Sequence, residues 1–194
     1  ACGMDHARLL NSDSGQEILG QIFNRVESAR VLSLVRNGIY GCTGINREIA
    51  EYLALESEYT TWREKGYFSG AVIMITRNDY SKELFNGDVG VVVREGRGTC
   101  RAFFPRFGSY IIFSMDLLPP WELAFAMTVH KSQGSEFDDV LLVLPEDETH
   151  RLLTREIVYT GITRAKRRLI IYGTESGLNS ALQRKIERQS GLRW

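Results

Sequence analysis

Ala126-Met-Thr-Val-His-Lys-Ser-Gln-Gly-Ser-Glu-Phe-Asp138 is the stretch whose reading decides the fold of this chain. It continues an apolar run, Glu122 to Val129, that reads as a strand, and polar residues follow directly until Gly134 turns the chain. In open α/β sheets ligands sit off the carboxyl ends of strands, which is where Thr128, His130, Lys131, Ser132 and Gln133 fall. Their donors and acceptors suit a sugar-phosphate backbone, which asks for hydrogen bonds but carries no base-specific code. Gly134 allows close backbone approach to a ligand, Glu136 offers a carboxylate to a ribose hydroxyl, and Phe137 reads as core. The plainer alternative for the whole stretch is a solvated polar loop.

Working outward, Val140 to Leu144 reads as a second strand, Thr154 to Ala165 as a helix, Leu169 to Tyr172 as a strand and the residues from Ser176 as a last helix. Upstream, Ile18, Leu19, Ile22, Phe23 and Val26 recur at helical steps from Gly15. Val31 to Val35 then reads as a strand, and Thr43 or Asn46 as the cap of a helix carrying Ile45, Ile49 and Leu53. The middle differs. Ala71 to Ile75, Val89 to Val93, Arg101 to Phe104 and Tyr110 to Phe113 are short β-favouring runs, separated by Asn86-Gly-Asp88, Gly96-Arg-Gly98 and Phe107-Gly108. The expected organisation is a loose leader over 1–14, an α/β domain over 15–66 and 118–194, and a small β-barrel inserted over 67–117, with Pro119-Pro120 marking its exit.

With 43% hydrophobic residues, 194 residues suffice for a sizeable core. Lys+Arg and Asp+Glu are 24 each, so attraction to a polyanion has to come from local clustering. Cys2, Cys42 and Cys100 are odd in number and far apart, which suggests neither a disulfide framework nor a zinc site. His6, His130 and His150 form no cluster with carboxylates at ligand spacing, so no metal site is expected and a metal-dependent nuclease is disfavoured. No apolar run approaches the roughly 18 residues of a membrane span, and the N-terminus lacks a signal-peptide pattern. The expectation is a cytoplasmic protein without a membrane partner.

The second informative stretch is Val158-Tyr-Thr-Gly-Ile-Thr-Arg-Ala-Lys-Arg-Arg168. Ile157, Val158, Ile162 and Ala165 share one side of the expected helix and leave Arg164 near its C-terminal end. A cation there also complements the helix dipole, worth about 0.3–1 kcal/mol. The functional alternative is larger: a guanidinium brought to a transferring phosphoryl group from a second domain accelerates the reaction about 10³–10⁵-fold. Lys166, Arg167 and Arg168 read as a solvated run of cations at the helix end. No G-x-x-x-x-G-K-[ST] loop occurs in the sequence.

The two quoted stretches resemble motifs V and VI of superfamily 1 helicases, and the chain from about Gly15 onward is similar to the C-terminal part of RecD-type helicases, the alpha subunit of exodeoxyribonuclease V. Leu32-Ser-Leu-Val-Arg-Asn-Gly38 with Gly41 and Asn46 is similar to the opening of their second motor domain. Ile73-Met-Ile-Thr-Arg-Asn78 with Leu84-Phe-Asn-Gly-Asp-Val-Gly-Val-Val92 is similar to the start of the small barrel inserted there, and Glu187-Arg-Gln-Ser-Gly-Leu192 to the tail. The resemblance implies a RecA-like second motor domain with an SH3-like insert, from a 5′-to-3′ DNA motor that uses ATP and Mg²⁺. It implies that Arg164 touches the γ-phosphate, that Gly134, Glu136 and Arg36 lie near the nucleotide, and that Thr128, His130 and Lys131 face single-stranded DNA. Asn78, Asn86 and Gly87 are the strand contacts it implies in the insert, although Asn86-Gly87 reads first of all as a tight hairpin turn. The implied partners are the missing N-terminal motor domain and the beta and gamma subunits of an exodeoxyribonuclease V complex. Without a phosphate loop, the chain is read as a fragment that holds no cofactor tightly and hydrolyses no ATP alone. Two alternatives stand beside this: a single-strand-binding or docking module without motor role, with Trp62 and Trp121 as partner anchors, and the helicase part of a conjugative relaxase.

Overall fold

The computed structural model describes residues 13–55, 59–95 and 99–185. Most of the expected leader, the Gly96-Arg-Gly98 turn and the Glu187–Leu192 tail lie outside them. In chain order the first elements are α1 (Asp13–Ser28), β1 (Ala29–Ser33), α2 (Cys42–Leu55), α3 (Tyr59–Lys65) and β2 (Val72–Ile75). Then come β3 (Val89–Glu95), β4 (Thr99–Arg106), β5 (Ser109–Ser114), β6 (Trp121–Leu123) and β7 (Ala126–Thr128). The last are β8 (Phe137–Val143), α4 (Arg155–Ile162), β9 (Ala165–Tyr172) and α5 (Glu175–Gln183). They form two compact units, one of residues up to Ser28 with Ile45–Phe125, the other of Ala29–Gly44 with the residues from Ala126 onward.

The second of these is α/β. Its four strands are all parallel, in the order β7-β1-β8-β9. Leu32 and Leu142, on the two inner strands, are fully buried, as are Leu153 and Val158 beside and within α4. A Cβ on Gly161 would stand 2.7 Å from a Leu142 methyl, so the absent side chain lets α4 lie close on β8. β9 is an edge strand and keeps Lys166, Arg168, Ile170 and Tyr172 exposed at alternate positions.

The other unit is built on a five-stranded antiparallel sheet in the order β5-β4-β3-β2-β6. Both of its faces are covered. Period-two alternation sends Ala102 and Phe104 of β4, with Val92 of β3, into a core shared with Ala50, Ala54, Phe68 and Ile73. Phe103 and Val91 point the other way, against Leu19 and Phe23 of α1. Phe23 also stacks on Tyr110 at 5.3 Å between ring centroids. That packing groups α1 and most of α2 with the antiparallel sheet, whereas the sequence reading had placed 15–66 with the α/β domain. Within this unit Asn46, 6% exposed, donates from Nδ2 to the Leu123 carbonyl at 2.8 Å.

Several expected elements are corrected. The run from Glu122 to Val129 is not one strand: Trp121–Leu123 pairs with β2 in the antiparallel sheet, and Ala126–Thr128 pairs with β1 in the parallel one. Neither Thr43 nor Asn46 caps α2, which begins at Cys42; the Thr43 hydroxyl donates to the Arg36 carbonyl at 2.8 Å. Trp62 and Trp121 are half-buried against the core, edge-on to Phe68 and Tyr67 respectively, and are not exposed anchors. Helix α4 ends at Ile162, so Lys166, Arg167 and Arg168 lie on a strand and not at a helix end.

Candidate functional site

Thr128 closes β7 in register with Ser33 of β1, which is in register with Val143 of β8 and, through it, with Tyr172 of β9. Thr128 therefore stands at the carboxyl edge of the parallel sheet. The next four residues make one 3-10 turn, Val129–Ser132, fastened at both ends. Val129 is 1% exposed, and Ser132, fully buried, donates from Oγ to the Val129 carbonyl at 2.8 Å. His130 and Lys131 between them are exposed. The chain then bends at Gly134, whose φ of 85° is a left-handed conformation that glycine adopts freely, and enters β8 at Phe137. Phe137 is paired with Ala165 at the start of β9 and is buried, as read from the sequence. Residues 129–136 thus run from the carboxyl edge of the sheet to its amino edge.

Arg164 is at that amino edge, in the two-residue turn between α4 and β9. Its main chain closes the turn, since the Phe137 amide donates to the Arg164 carbonyl at 2.8 Å. Its half-buried guanidinium is held on three sides: Nε donates to the Thr160 carbonyl, Nη1 to the Ser135 carbonyl and Nη2 to Thr163 Oγ1, each at 3.1 Å. An arginine carries five N–H donors, so one N–H on each terminal nitrogen is left over, which is the fork that engages two oxygens of a phosphoryl or carboxylate group. Glu136 lies 3.8 Å from Lys166, both side chains more than half exposed, a pair of little energetic weight. On β8 and β9, Asp139 accepts from Arg168 at 2.6 Å and from Arg167 at 3.3 Å. Those bonds, Arg168 first, hold its carboxyl below the usual range.

The fold therefore brings Gly134, Glu136 and Arg164 together and joins them to Thr128, His130 and Lys131 through one short connection. It does not bring Arg36 to them. Arg36 is exposed three residues beyond β1, on the carboxyl edge, and the seven residues of β8 separate the two edges by about 20 Å. A crevice of about 270 Å³ also opens at that edge, lined by Tyr40, Glu146, Tyr172 and Thr174, none of them singled out by sequence. Asn78 and Asn86 belong to the antiparallel unit, where Asn78 Oδ1 accepts from the Asn86 amide at 2.8 Å. Asn86-Gly87 occupies a turn closed by the Asp88 amide donating to the Phe85 carbonyl, with Gly87 at φ 99°. Sequence reasoning missed Ser135, Thr160 and Thr163, the residues that hold Arg164. Ser135 and Thr160 act through main-chain carbonyls, which no residue type announces, and only the hydroxyl of Thr163 beside Arg164 was there to be read. Among the described residues no three His, Cys, Asp or Glu side chains are placed to hold a metal ion, and no helix is long and apolar enough to cross a membrane.

Residues 123–172 match the UvrD-like helicase C-terminal domain. The chain is 40% identical over 167 residues to the RecBCD enzyme subunit RecD of Haemophilus influenzae, covering 85% of this chain and 24% of that protein. It is 36% identical over 168 residues to the RecD subunit of Mycobacterium tuberculosis, covering 87% of this chain and 28% of that one. The chain belongs to the RecD-type helicases. It spans about a quarter of the length of the RecD subunits it matches, and the matched family model is that of a C-terminal domain. Among solved structures, the Pif1 helicase from Bacteroides in complex with ADP-AlF3 and ssDNA superposes with a TM-score of 0.51 at 16% identity, over 86% of this chain and 47% of that one. At that identity the likeness bears on the fold, and it agrees with an α/β, RecA-like reading of the RecD segment.

Proposed function

We propose that the parent of this RecD-type chain is an ATP-driven, 5′-to-3′ DNA helicase of an exodeoxyribonuclease V complex, and that this stretch supplies its second motor domain. The parallel-sheet unit is the motor core, and the antiparallel sheet is its SH3-like insert. The observation that carries the reading is the fastening of Arg164. A cation meant only to complement a helix dipole needs no fixed geometry. Here three hydrogen bonds orient a half-buried guanidinium and leave one N–H on each Nη uncommitted. ATP, held with Mg²⁺ by the N-terminal motor domain of the parent, would supply the phosphoryl group. Arg164 stabilises the charge that develops on its oxygens, with Gly134 and Glu136 beside it. Thr128, His130 and Lys131 contact the strand, Asn78 and Asn86 add contacts from the insert, and Arg36 sides with the strand-facing edge.

The connection 129–136 explains how the two events communicate. It is eight residues long, pinned by buried Val129 and Ser132 at one end and by the Ser135 carbonyl on Arg164 at the other. We take this connection as the route by which a shift of the guanidinium would reach His130. The experiment compares strand-stimulated ATP hydrolysis by this chain alone and by the parent extended upstream. The parent turns over and the chain alone does not; turnover by the chain alone refutes the proposal.

A further inference from the structure

One end of the antiparallel unit carries three aromatic rings that its core does not use. Tyr80 is 76% exposed, Phe85 42%, and Phe107 fully so. Tyr80 and Phe85 meet edge to face, with centroids 6.0 Å apart and planes at 72°. Between them in sequence, Leu84 is fully buried, so the loop is anchored through its middle while both rings stand out. Asp79 and Leu84 exchange two backbone hydrogen bonds, of 2.7 and 3.1 Å. Asn78 ties the two ring-bearing ends, accepting from the Asn86 amide at 2.8 Å and donating to the Tyr80 hydroxyl at 3.3 Å.

Phe107 arrives from the β4–β5 hairpin. Arg106, beside it, donates to the Glu83 carbonyl at 2.8 Å and to the Asp88 carboxylate, which fastens the hairpin to the same loop. Phe107 has a φ of 43° and Gly108 one of 81°. Two successive positive φ values belong to the tight hairpin turn that Asn-Gly fills without strain. A bulky ring held there in full solvent exposure gains nothing from packing, and such an outlier points to use. Charge at this end is mixed: Lys82 pairs with Asp79 and Arg106 with Asp88, and exposed Arg77 and Glu83 carry opposite signs. What the surface offers is ring faces with amides between them.

We infer that Tyr80, Phe85 and Phe107 form a stacking platform for the unpaired bases of the translocating strand. The inference rests on the motor reading above and adds to it three residues that lie outside the motif V-like and motif VI-like stretches. Aromatic faces hold bases of any sequence, which suits a motor that must pass every sequence. Because the platform neutralises no phosphates, its contribution to binding is nearly independent of salt, unlike that of lysine or arginine contacts. Asn78 and Asn86, tied to each other and to Tyr80, lie beside the rings and offer amides to sugar and phosphate oxygens.

The test uses the full-length parent, wild type against Tyr80→Ala, Phe85→Ala, Phe107→Asn and the triple variant. Binding to a thymidine homopolymer is measured over a salt series, together with binding to an oligomer of equal length whose nucleotides lack bases. The expected result is a loss of at least about tenfold for the triple variant on the thymidine strand, with an unchanged salt slope and no loss on the abasic strand. Melting temperature checks folding, and Phe107→Asn is expected to hold or raise it. Equal affinity of wild type and triple variant for the thymidine strand overturns the inference, as does an equal loss on both strands. Normal strand binding with lost association to other subunits also overturns it and makes the surface a protein-docking site. A wild-type parent that binds no strand at all brings down the motor reading and this inference with it.

Discussion

Replacing Gly161 by alanine sets two opposing effects against each other, and the structure says which wins. Gly161 lies near the end of α4, where alanine is favoured over glycine by about 1 kcal/mol on helix propensity alone. The new Cβ, however, would stand 2.7 and 3.2 Å from the two Leu142 methyls and 3.3 Å from a Val129 methyl. Ordinary carbon contacts are about 3.5–4.0 Å, so relief requires a shift of about 1 Å against a fully buried Leu142. Overpacking of that kind costs about 1–3 kcal/mol, which leaves a net loss of up to about 2 kcal/mol and a fall of up to about 8 °C in melting temperature for a chain of this size. Thermal unfolding is then measured for wild type, Gly161→Ala, Leu142→Val and the double variant. Valine lacks both Leu142 methyls and leaves the 3.3 Å approach to Val129, so Gly161→Ala is expected to destabilise in the wild-type background and to cost clearly less, or nothing, in the Leu142→Val background. The same change in both backgrounds would refute the close approach of α4 to β8. In the parent, the single variant is also expected to lower ATP turnover, because the end of α4 carries Thr160 and the turn that follows it carries Thr163 and Arg164.

Asn46→Ala leaves the half-buried Leu123 carbonyl without its side-chain donor, and urea unfolding is expected to show a loss of about 0.5–1.5 kcal/mol. Asp79, whose bonds from Lys82 and then Ser81 lower its carboxyl pKa to about 2, contributes stability that is fully present above the ordinary carboxylate pKa near 4. That contribution disappears as pH falls from about 4 to 2, and Asp79→Asn flattens the acid limb of a melting-temperature profile over that window. Asp139, depressed by Arg168, acts in the same direction, and Asp139→Asn is expected to lessen acid sensitivity further.

Much of the candidate site was legible because its residues are contiguous. The polar string from Thr128 to Gln133 follows a strand end, Gly134 turns the chain and Phe137 is core, as their order implies. What was not legible depends on pairing between distant residues. Trp121–Leu123 and Ala126–Thr128 are equally apolar, and only the choice of β2 or β1 as partner assigns them to different sheets. The helical spacing of Ile162 and Ala165 hides the end of α4, because Ala165 is taken by pairing with Phe137. The amphipathic pattern of α1 announces a buried face but not that the face lies on Val91 and Phe103. Arg36 sits beside a motif-like run, yet its distance from Arg164 follows from strand register alone.

The central claim is that Arg164 acts on a nucleotide held by another domain. It is tested most directly by strand-stimulated ATP hydrolysis in the upstream-extended parent, wild type against Arg164→Ala, with strand affinity measured on both proteins. Turnover is expected to fall about 10³-fold or more while strand affinity stays within about twofold. Turnover that survives the substitution would contradict it and leave Arg164 as a residue that only closes the turn between α4 and β9.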